Sequence, residues 1–349
     1  MRIHLGHHFY GAGNLGDDFM LAGFFAALRA LSPDATFSCC VPFPLEPLRQ
    51  RFPEVSWHPY DDNVRQRCIA DCDVWLGLGG SPFQHALSRW FIDHLIGDAG
   101  HCARAGKPMF FLGIGVQGAE ELLSPEVRRI CAQAAGIWTR DAGSATLLGR
   151  LPTPPPITAA ADLAHVFFQG TALPRALPGQ LTLVPNFDYG TWSGQNAFLP
   201  ALDALPITRR VWLAQESREL PGAERALFAA LPAAEKSRWE LIIPDVPGTP
   251  LAHALSRWPS GEWLVTARYH AALAGAWSGS KIVVIATNEK LRAAARELGC
   301  PVLEPDGDAA AVARALGAAR PALPPTQSAA LAFDACAAFV RAATAAAQR

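Results

Sequence analysis

The sequence is poor in charge and has no segment long and apolar enough near its start to suggest a membrane span. Charged side chains make up 17% of the 349 residues, and the formal net charge is −1. Such a chain has no basic field to attract nucleic acid or an anionic membrane surface. The apolar stretch 19–31 is interrupted by Arg29 and is too short to cross a bilayer. We therefore expect no nucleic-acid partner and no transmembrane segment.

Signatures of several enzyme and metal classes are also missing. The sequence contains no HExxH, no GxSxG and no P-loop, and no two cysteines have CxxC spacing. Its eight cysteines are irregularly spaced, and its start does not resemble a signal peptide. Reduced thiols in a cytoplasmic protein are the expected state. We predict no metal site and no resident cofactor.

What the sequence does contain is a regular alternation of short apolar runs and helical patterns. The predicted strands of the first half are 2–5, 36–41, 74–77, 108–113 and 137–139. Those of the second half are 181–185, 211–215, 240–243, 263–266, 281–285 and 301–303. The clearest predicted helices are 18–31, 85–105, 125–135, 222–231, 250–258, 269–278, 289–298 and 308–318. Short strands separated by helices predict α/β units with parallel sheets.

Two domains are predicted. The chain is too long for one ordinary core, and the polar stretch 169–180, rich in proline and glycine, is the candidate linker. We predict a Rossmann-like doubly wound domain over 1–172, a second over 173–326, and a helix over 327–349 that could pack back on the first domain. Two such domains are expected to face each other across a ligand cleft, formed at the carboxyl ends of their strands.

The first candidate functional segment is a glycine-rich turn between the first strand and the first helix. Residues 11–18 read GAGNLGDD, and Gly13 and Gly16 would let the backbone approach a ligand closely. Free N–H groups at the helix start favour an anion. The adjacent Asp17 and Asp18 suggest a general base or a hydroxyl-binding group. A plain turn with side-chain caps is the structural alternative. An NAD site is disfavoured, because the second strand ends without an acidic residue.

Three later strands of the first half end in comparable loops. Gly79 and Gly80 follow one strand, Gly115 follows the next, and Arg140 with Ser144 follows the third. An arginine at the carboxyl end of a strand is well placed to bind a carboxylate or a phosphate. Tight packing turns and a surface salt bridge would explain the same residues without a ligand.

In the second half, the strand 263–266 delivers Arg268 and His270 to the start of a helix of small residues. A cation and a titratable imidazole two residues apart suit anion binding combined with proton transfer. Lys290 follows the next strand and is expected at the same edge of the sheet. A buried structural histidine and a surface lysine are the alternatives for His270 and Lys290.

Taken in order, these segments resemble the polysaccharide pyruvyl transferase family. The matching segments are GNLGDD at 13–18, GGSPF at 79–83, GIG at 113–115, RDAGS at 140–144, ADL at 161–163, RYH at 268–270, and Lys290. The resemblance implies a GT-B-like fold. It also implies transfer of pyruvate from phosphoenolpyruvate to a sugar as a ketal, with release of phosphate. Position 269 is Tyr where the family usually has Leu, and position 18 is Asp where Glu is common.

The resemblance also implies roles for individual residues. Arg140 and Arg268 would clamp the phosphate and carboxylate of phosphoenolpyruvate, and His270 would be the catalytic acid and base. Asp18 is the second catalytic candidate, as the base for the acceptor. The implied substrate-binding residues are Arg140, Arg268, Lys290, Asn14, Gly13, Gly16, Gly79, Gly80, Gly115 and Ser144.

The acceptor and two alternative functions stay open. The acceptor could be a sugar, a nucleotide-sugar or a lipid-linked sugar, because the segment 186–195 matches no motif of the family. A GT-B glycosyltransferase that uses a nucleotide-sugar would share the fold, and a non-catalytic ligand-binding relative would keep it without the chemistry. The joint presence of Arg140, Arg268 and His270 favours an enzyme. The sequence does not decide the oligomeric state, so a homo-oligomer stays open.

Overall fold

The computed structural model describes residues 1–84, 89–187 and 192–348, which form two compact units. The first unit consists of Met1–Ala12, Asp17–Gly170 and Thr326–Arg349; the second consists of Gly13–Gly16 and Thr171–Pro325. The chain therefore leaves the first unit after Gly170 and returns to it at Thr326. Residues 13–16 of the glycine-rich turn belong to the second unit. The long helix that follows this turn continues in the first unit from Asp17 onward.

The first unit contains a parallel sheet. Its strands in the described residues are β1 Arg2–Leu5, β2 Thr36–Val41, β3 Val55–Pro59, β4 Val74–Leu78, β5 Met109–Ile114, β6 Ala134–Thr139 and β7 Ile157–Ala159. They lie in the order β3-β2-β1-β4-β5-β6-β7. β1 thus pairs with β2 on one side and with β4 on the other. The strand order therefore reverses between β1 and β4, and the loops after these two strands diverge. Doubly wound sheets bind ligands at such a position.

Helices connect these strands in βαβ fashion. They are α1 Leu15–Leu31, α2 Leu45–Arg51, α3 Asp62–Asp71, α4 Trp90–Ala105, α5 Pro125–Gln133, α6 Ala142–Leu148 and α7 Ala164–Gly170, with a 3₁₀ turn at Ala119–Leu123. Every residue of β4 and β5 is buried. Full burial is expected of parallel strands covered by helices on both faces, and it explains why these strands read as continuous apolar runs.

The second unit repeats the architecture. Its strands in the described residues are β8 Leu177–Val184, β9 Arg209–Leu213, β10 Glu240–Ile242, β11 Gly261–Thr266, β12 Lys281–Ile285 and β13 Val302–Leu303. Their order is β10-β9-β8-β11-β12-β13, and the pairing is parallel. Its helices are α8 Gln195–Ala201, α9 Glu224–Ala229, α10 Ala233–Lys236, α11 Leu251–Ser256, α12 Tyr269–Ser278, α13 Glu289–Leu298 and α14 Ala309–Ala318, with a 3₁₀ turn at Leu202–Ala204.

The last helix, α15 Thr326–Ala347, completes the core of the first unit. It packs on α7, β4, β5 and β6. Phe339 is fully buried, and its ring contacts those of Phe24, Phe110 and Trp138 at centroid distances of 6.2, 5.7 and 6.2 Å. By length and a mean hydropathy of 1.4, α15 would be apolar enough to cross a membrane. Its contacts with α7 and the sheet instead show that the apolar face of α15 packs in the core of the first unit.

The predicted α/β class is confirmed, and most element positions agree with the sequence patterns. The strands 2–5, 36–41 and 281–285 and the helices 269–278 and 289–298 have the predicted bounds. The predicted helix 85–105 is helical from Trp90 onward, and its residues 85–88 lie outside the described part of the chain. β3 was not predicted, because its sequence VSWHP mixes polar and apolar residues and alternates between buried and exposed positions.

Truncation of Phe339 should destabilise the first unit strongly. Phe339→Ala would leave a cavity among three aromatic rings, and we expect a loss of about 3–5 kcal/mol in the free energy of unfolding. Urea denaturation followed by circular dichroism measures it. Leu331→Ala on the same helix is the control, since Leu331 is 45% exposed and its loss should cost about 0.5 kcal/mol or less. Equal losses in both variants would contradict the packing assigned to α15.

Candidate functional site

The glycine-rich turn meets the start of α12 within the second unit. A Cβ atom built on Gly16 would lie 2.1 Å from Nδ1 of His270 and 2.9 Å from Nε2 of Gln215. Any side chain at position 16 would therefore displace the imidazole. His270 lies in the first turn of α12 and is buried, and its ring contacts that of Tyr269 edge-on at 5.2 Å. The structure thus brings together Gly16 and His270, two predicted site residues from opposite halves of the chain.

Gly13 and Asn14 are held by the segment that follows β9. The carbonyl oxygen of Gly13 accepts hydrogen bonds from Ser217 N at 2.8 Å and Ser217 Oγ at 3.3 Å. Asn14 Oδ1 accepts from Gly16 N at 3.1 Å and from Gln215 Nε2 at 3.2 Å. Gly13 has a φ of 103°, and a Cβ there would meet Ser217 Oγ at 2.5 Å. Only glycine satisfies both conditions without strain.

Arg268 is the N-cap of α12 and makes a bidentate ion pair. Its Nε donates to Glu224 Oε1 at 2.7 Å, and its Nη2 donates to Glu224 Oε2 at 3.1 Å. Glu224 is fully buried at the start of α9. Burial raises the pKa of the Glu224 carboxyl, and the Arg268 guanidinium opposes that rise. Arg268 is thus held at the start of α12, and the free N–H groups of a helix start favour an anion.

Two further features lie near this end of the second unit. Lys290, in the first turn of α13, places its Nζ 5.1 Å from the centre of the Tyr269 ring. Glu216, which is buried, makes a second bidentate pair with Arg218, at 2.8 and 3.1 Å. The predicted Lys290 therefore contacts the residue between Arg268 and His270. Glu216 and Arg218 were not predicted from the sequence.

In the first unit, Arg140 is brought to the glycine loops after β4 and β5. Its guanidinium donates to Gly80 O at 3.3 Å and to Ser81 Oγ at 3.0 Å. A Cβ on Gly115 would lie 2.3–2.5 Å from the guanidinium atoms, so a side chain at that position would displace the guanidinium. Arg140 is buried, and its Nε lies 3.8 Å from Asp141 Oδ2. Three predicted substrate-binding residues, Gly80, Gly115 and Arg140, therefore share one cluster.

Gly79 and Ser144 hold the same edge of the first sheet. Gly79 N donates to Leu112 O at 2.8 Å, which joins the end of β4 to β5. Ser144 N and Oγ donate to the Asp141 carboxylate at 2.7 and 2.8 Å, and Ser144 Oγ accepts from Val116 N at 2.9 Å. These contacts tie the start of α6 to the loop after β5. Substrate binding by Gly79 and Ser144 stays a prediction.

Asp18 lies at the start of α1 and its carboxylate is engaged inside the first unit. Oδ1 accepts from Gly11 N at 2.7 Å, and Oδ2 accepts from Arg51 Nη1 at 2.6 Å. Both side chains of the Asp18–Arg51 pair are buried. These contacts hold the glycine-rich turn in place. The role of Asp18 as the acceptor base stays a prediction, and the structure adds a packing role that the sequence did not indicate.

Four of the residues that the sequence did not single out share one property. Arg51, Gln215, Glu216 and Glu224 are polar or charged, yet each is buried. Burial of charge in a chain with so few charged residues is costly unless the groups are paired. The sequence carries no local signal for such burial. Among the residues that the structure describes, no group of His, Cys, Asp and Glu side chains could hold a metal ion.

Comparisons with solved structures show the fold. The chain superposes on HepE of Anabaena in complex with UDP-glucose with a TM-score of 0.60 and 10% identity, covering 100% of this chain and 98% of that one. It superposes on the UDP-GlcNAc 2-epimerase of Methanocaldococcus jannaschii with a TM-score of 0.61 and 11% identity, covering 97% and 98% of the two chains. The predicted GT-B-like fold is confirmed by these similarities.

A third similar structure is a UGT transferase from Siraitia grosvenorii in complex with UDP, with a TM-score of 0.56, 11% identity and coverage of 98% of both chains. A search of curated proteins gave no significant match. The family model described as polysaccharide pyruvyl transferase matches residues 14–288, which is more than half of the chain. The match includes the glycine-rich turn from Asn14 onward as well as Arg268 and His270. The chain is a transferase that belongs to the polysaccharide pyruvyl transferase family.

Proposed function

We propose that the protein transfers the pyruvyl group of phosphoenolpyruvate to a sugar acceptor, forms a ketal and releases phosphate. The observation that carries the proposal is the contact of the His270 imidazole with Gly16, with Arg268 two residues before His270. A candidate proton donor and a cation then belong to the start of the same helix, whose free N–H groups favour an anion. An enolpyruvyl donor needs a proton at its methylene carbon and positive groups for its two anionic ends.

The chemistry proceeds in one addition followed by one substitution. A sugar hydroxyl attacks the central carbon of phosphoenolpyruvate while His270 donates a proton to the methylene carbon, which becomes the methyl group. A second hydroxyl of the acceptor then displaces phosphate at the resulting tetrahedral centre and closes the ketal. The proton of the first hydroxyl passes to the acceptor base, for which Asp18 is the candidate, and the departing phosphate takes the proton of the second. Arg268 binds one anionic group of the donor. Arg140 is a second anion-binding candidate, in the first unit, and Lys290 is a third.

Several classes of acceptor fit the proposed reaction, whereas the donor is phosphoenolpyruvate. Sugars, nucleotide-sugars and lipid-linked sugars all carry the pair of hydroxyls that a ketal requires. We place the reaction in the cytoplasm, which suits the free thiols of all eight cysteines. No resident cofactor is needed for the reaction, because the enol phosphate itself is the activated group.

A nucleotide-sugar glycosyltransferase is the second candidate function. It is favoured by the similarity in fold to HepE with UDP-glucose and to the Siraitia enzyme with UDP. Thermal-shift measurements with phosphoenolpyruvate and with UDP separate the two functions. Protection by phosphoenolpyruvate, with phosphate released in the presence of a panel of sugars and nucleotide-sugars, is the expected result. Protection by UDP alone, without phosphate release, would favour the glycosyltransferase.

Removal of the His270 imidazole should abolish turnover while the donor still binds. We expect His270→Ala to lower the rate of phosphate release by about 10²–10⁴-fold, because general acid catalysis is lost. Donor affinity, measured by isothermal titration calorimetry, should change little. His253→Ala is the matched control, on an exposed position of α11. Normal turnover by His270→Ala with donor bound would refute the assignment.

A methyl group at position 16 should act through the imidazole. Because the added Cβ would lie 2.1 Å from His270 Nδ1, Gly16→Ala must displace the ring, and we expect a fall in kcat larger than the change in melting temperature explains. Gly317→Ala is the control, since nothing lies within 4 Å of a Cβ there. Full kcat in Gly16→Ala would show that the observed ring position is not required for turnover.

The two roles of Asp18 can be separated with Arg51. Asp18→Asn alone should cost about 3–5 kcal/mol of stability, because it leaves the buried Arg51 charge without its carboxylate. The double variant Asp18→Asn/Arg51→Met removes both charges and should recover most of that stability in urea denaturation. If Asp18 is the acceptor base, the double variant stays inactive. Recovered phosphate release would instead limit Asp18 to packing.

A further inference from the structure

The ion pair between Glu224 and Arg268 affects how Arg268 can bind an anion. Both carboxylate oxygens of Glu224 accept hydrogen bonds from the guanidinium, at 2.7 and 3.1 Å. The Glu224 side chain is 0% exposed, whereas that of Arg268 is 16% exposed. The carboxylate is therefore closed off from solvent, whereas part of the Arg268 side chain is accessible. An anion that approaches Arg268 meets a cation whose charge is already balanced.

Glu224 cannot easily leave this position. It is the first residue of α9, and its carbonyl oxygen accepts a hydrogen bond from the indole N–H of Trp212 at 2.8 Å. Trp212 is itself fully buried on β9. The backbone of Glu224 is thus held at the start of α9, and its buried carboxylate has Arg268 as an ion-pair partner. The protein must then accommodate two anionic groups on one guanidinium.

The other charged groups near Glu224 do not offset the negative charge of its carboxylate. Glu216, after β9, is a second buried carboxylate, and its charge raises the pKa of Glu224 further. The nearest cation to Glu216 is Arg218, which already pairs with it. Arg225, on the same helix as Glu224, donates to Ser217 O and to Glu219. Arg268 is thus the cation that faces the Glu224 carboxylate.

We propose that Glu224 is a positioning residue that aligns Arg268 in the ligand-free protein and takes up a proton when an anionic substrate binds to Arg268. The proposal rests on the proposed function in taking phosphoenolpyruvate as that substrate. The proton comes from solvent and is held on a carboxylate oxygen, and no bond of the substrate changes in this step. The neutral carboxyl still accepts a hydrogen bond from Arg268 and keeps the guanidinium oriented.

The sign of the pH dependence follows from the direction of the shift. Burial already raises the pKa of Glu224, with Arg268 opposing the rise, and a second anion on Arg268 raises it again. Between the two pKa values, the ligand-free protein is ionised at Glu224 and the complex is protonated there. Substrate affinity therefore rises as pH falls through this window. Above both pKa values Glu224 contributes no proton uptake.

Isothermal titration calorimetry of the full chain in buffers of different ionisation enthalpy measures the protons taken up on binding. We expect the wild-type protein to take up more protons with phosphoenolpyruvate than Glu224→Gln does, by up to one per site. Glu224→Gln should also bind the donor severalfold more tightly at neutral pH, with a flatter pH profile, since Arg268 is no longer neutralised. Titration of the free donor is common to both proteins and cancels in the difference.

Two further variants test whether the Glu224 carboxylate is the group that takes up the proton. Glu224→Asp retains a titratable carboxylate and should retain proton uptake, with the pH window moved downward because the ordinary pKa of an aspartate lies below that of a glutamate. Glu240→Gln is the matched control, because Glu240 is an exposed carboxylate on β10 that pairs with Arg209, and its proton uptake should equal that of wild type. If Glu224→Gln does not fold, the comparison of Glu224→Asp with wild type over pH carries the test: a pH profile unchanged by this substitution would overturn the proposal.

The outcomes separate this proposal from the proposed function. Absence of phosphoenolpyruvate binding to wild type contradicts the proposed function, and inorganic phosphate and UDP then serve as the anionic probes for Glu224. Equal proton uptake by wild type and Glu224→Gln, with any of the three anions that binds, would overturn the role of Glu224. It is also overturned if none of the three binds to either protein.

Discussion

The imidazole of His270 packs directly on Gly16, and the arrangement of the candidate site depends on this contact. It places the titratable ring beside the backbone of the glycine-rich turn, because no Cβ at position 16 separates them. The hydrogen bonds of Asn14 to Gln215 and of Gly13 to Ser217 hold the turn in that position. The turn therefore positions a catalytic candidate, in addition to any contact that it makes with a ligand.

Buried, paired charges are the second constraint on the structure. The chain has few charged residues, yet it buries the carboxylates of Asp18 and Glu224, which pair with the buried Arg51 and with the partly exposed Arg268. Pairs of this kind contribute little net stability, but loss of one partner is costly. Their value here is orientation: the first pair fixes the glycine-rich turn, and the second aligns a guanidinium at the start of α12. Proton uptake by Glu224 would let the second pair admit an anion without moving.

Much of the fold and part of the site could be predicted, because the patterns are local. Buried parallel strands such as β5 and β12 are continuous apolar runs, and the residues at their ends follow from the βα order. This order places Arg140 after β6 and Arg268 after β11. The strand β3 escaped prediction, since its alternating VSWHP sequence has no continuous apolar run. Fold and family were thus accessible from short segments, whereas side-chain partners were not.

The sequence by itself determined the α/β class, the ends of most strands and the positions where glycine, arginine and histidine follow them. Only the tertiary structure decided which of these residues touch. The sequence predicted an active site between the glycine-rich turn and the segment 266–270, but only the structure shows that the His270 imidazole packs on Gly16. Nothing in the sequence indicated the ion pair between Arg268 and Glu224. Strand and helix formation depends on neighbouring residues, so it leaves a local pattern. The pairing of distant side chains depends on how the elements pack, and packing of this kind leaves no local pattern to read.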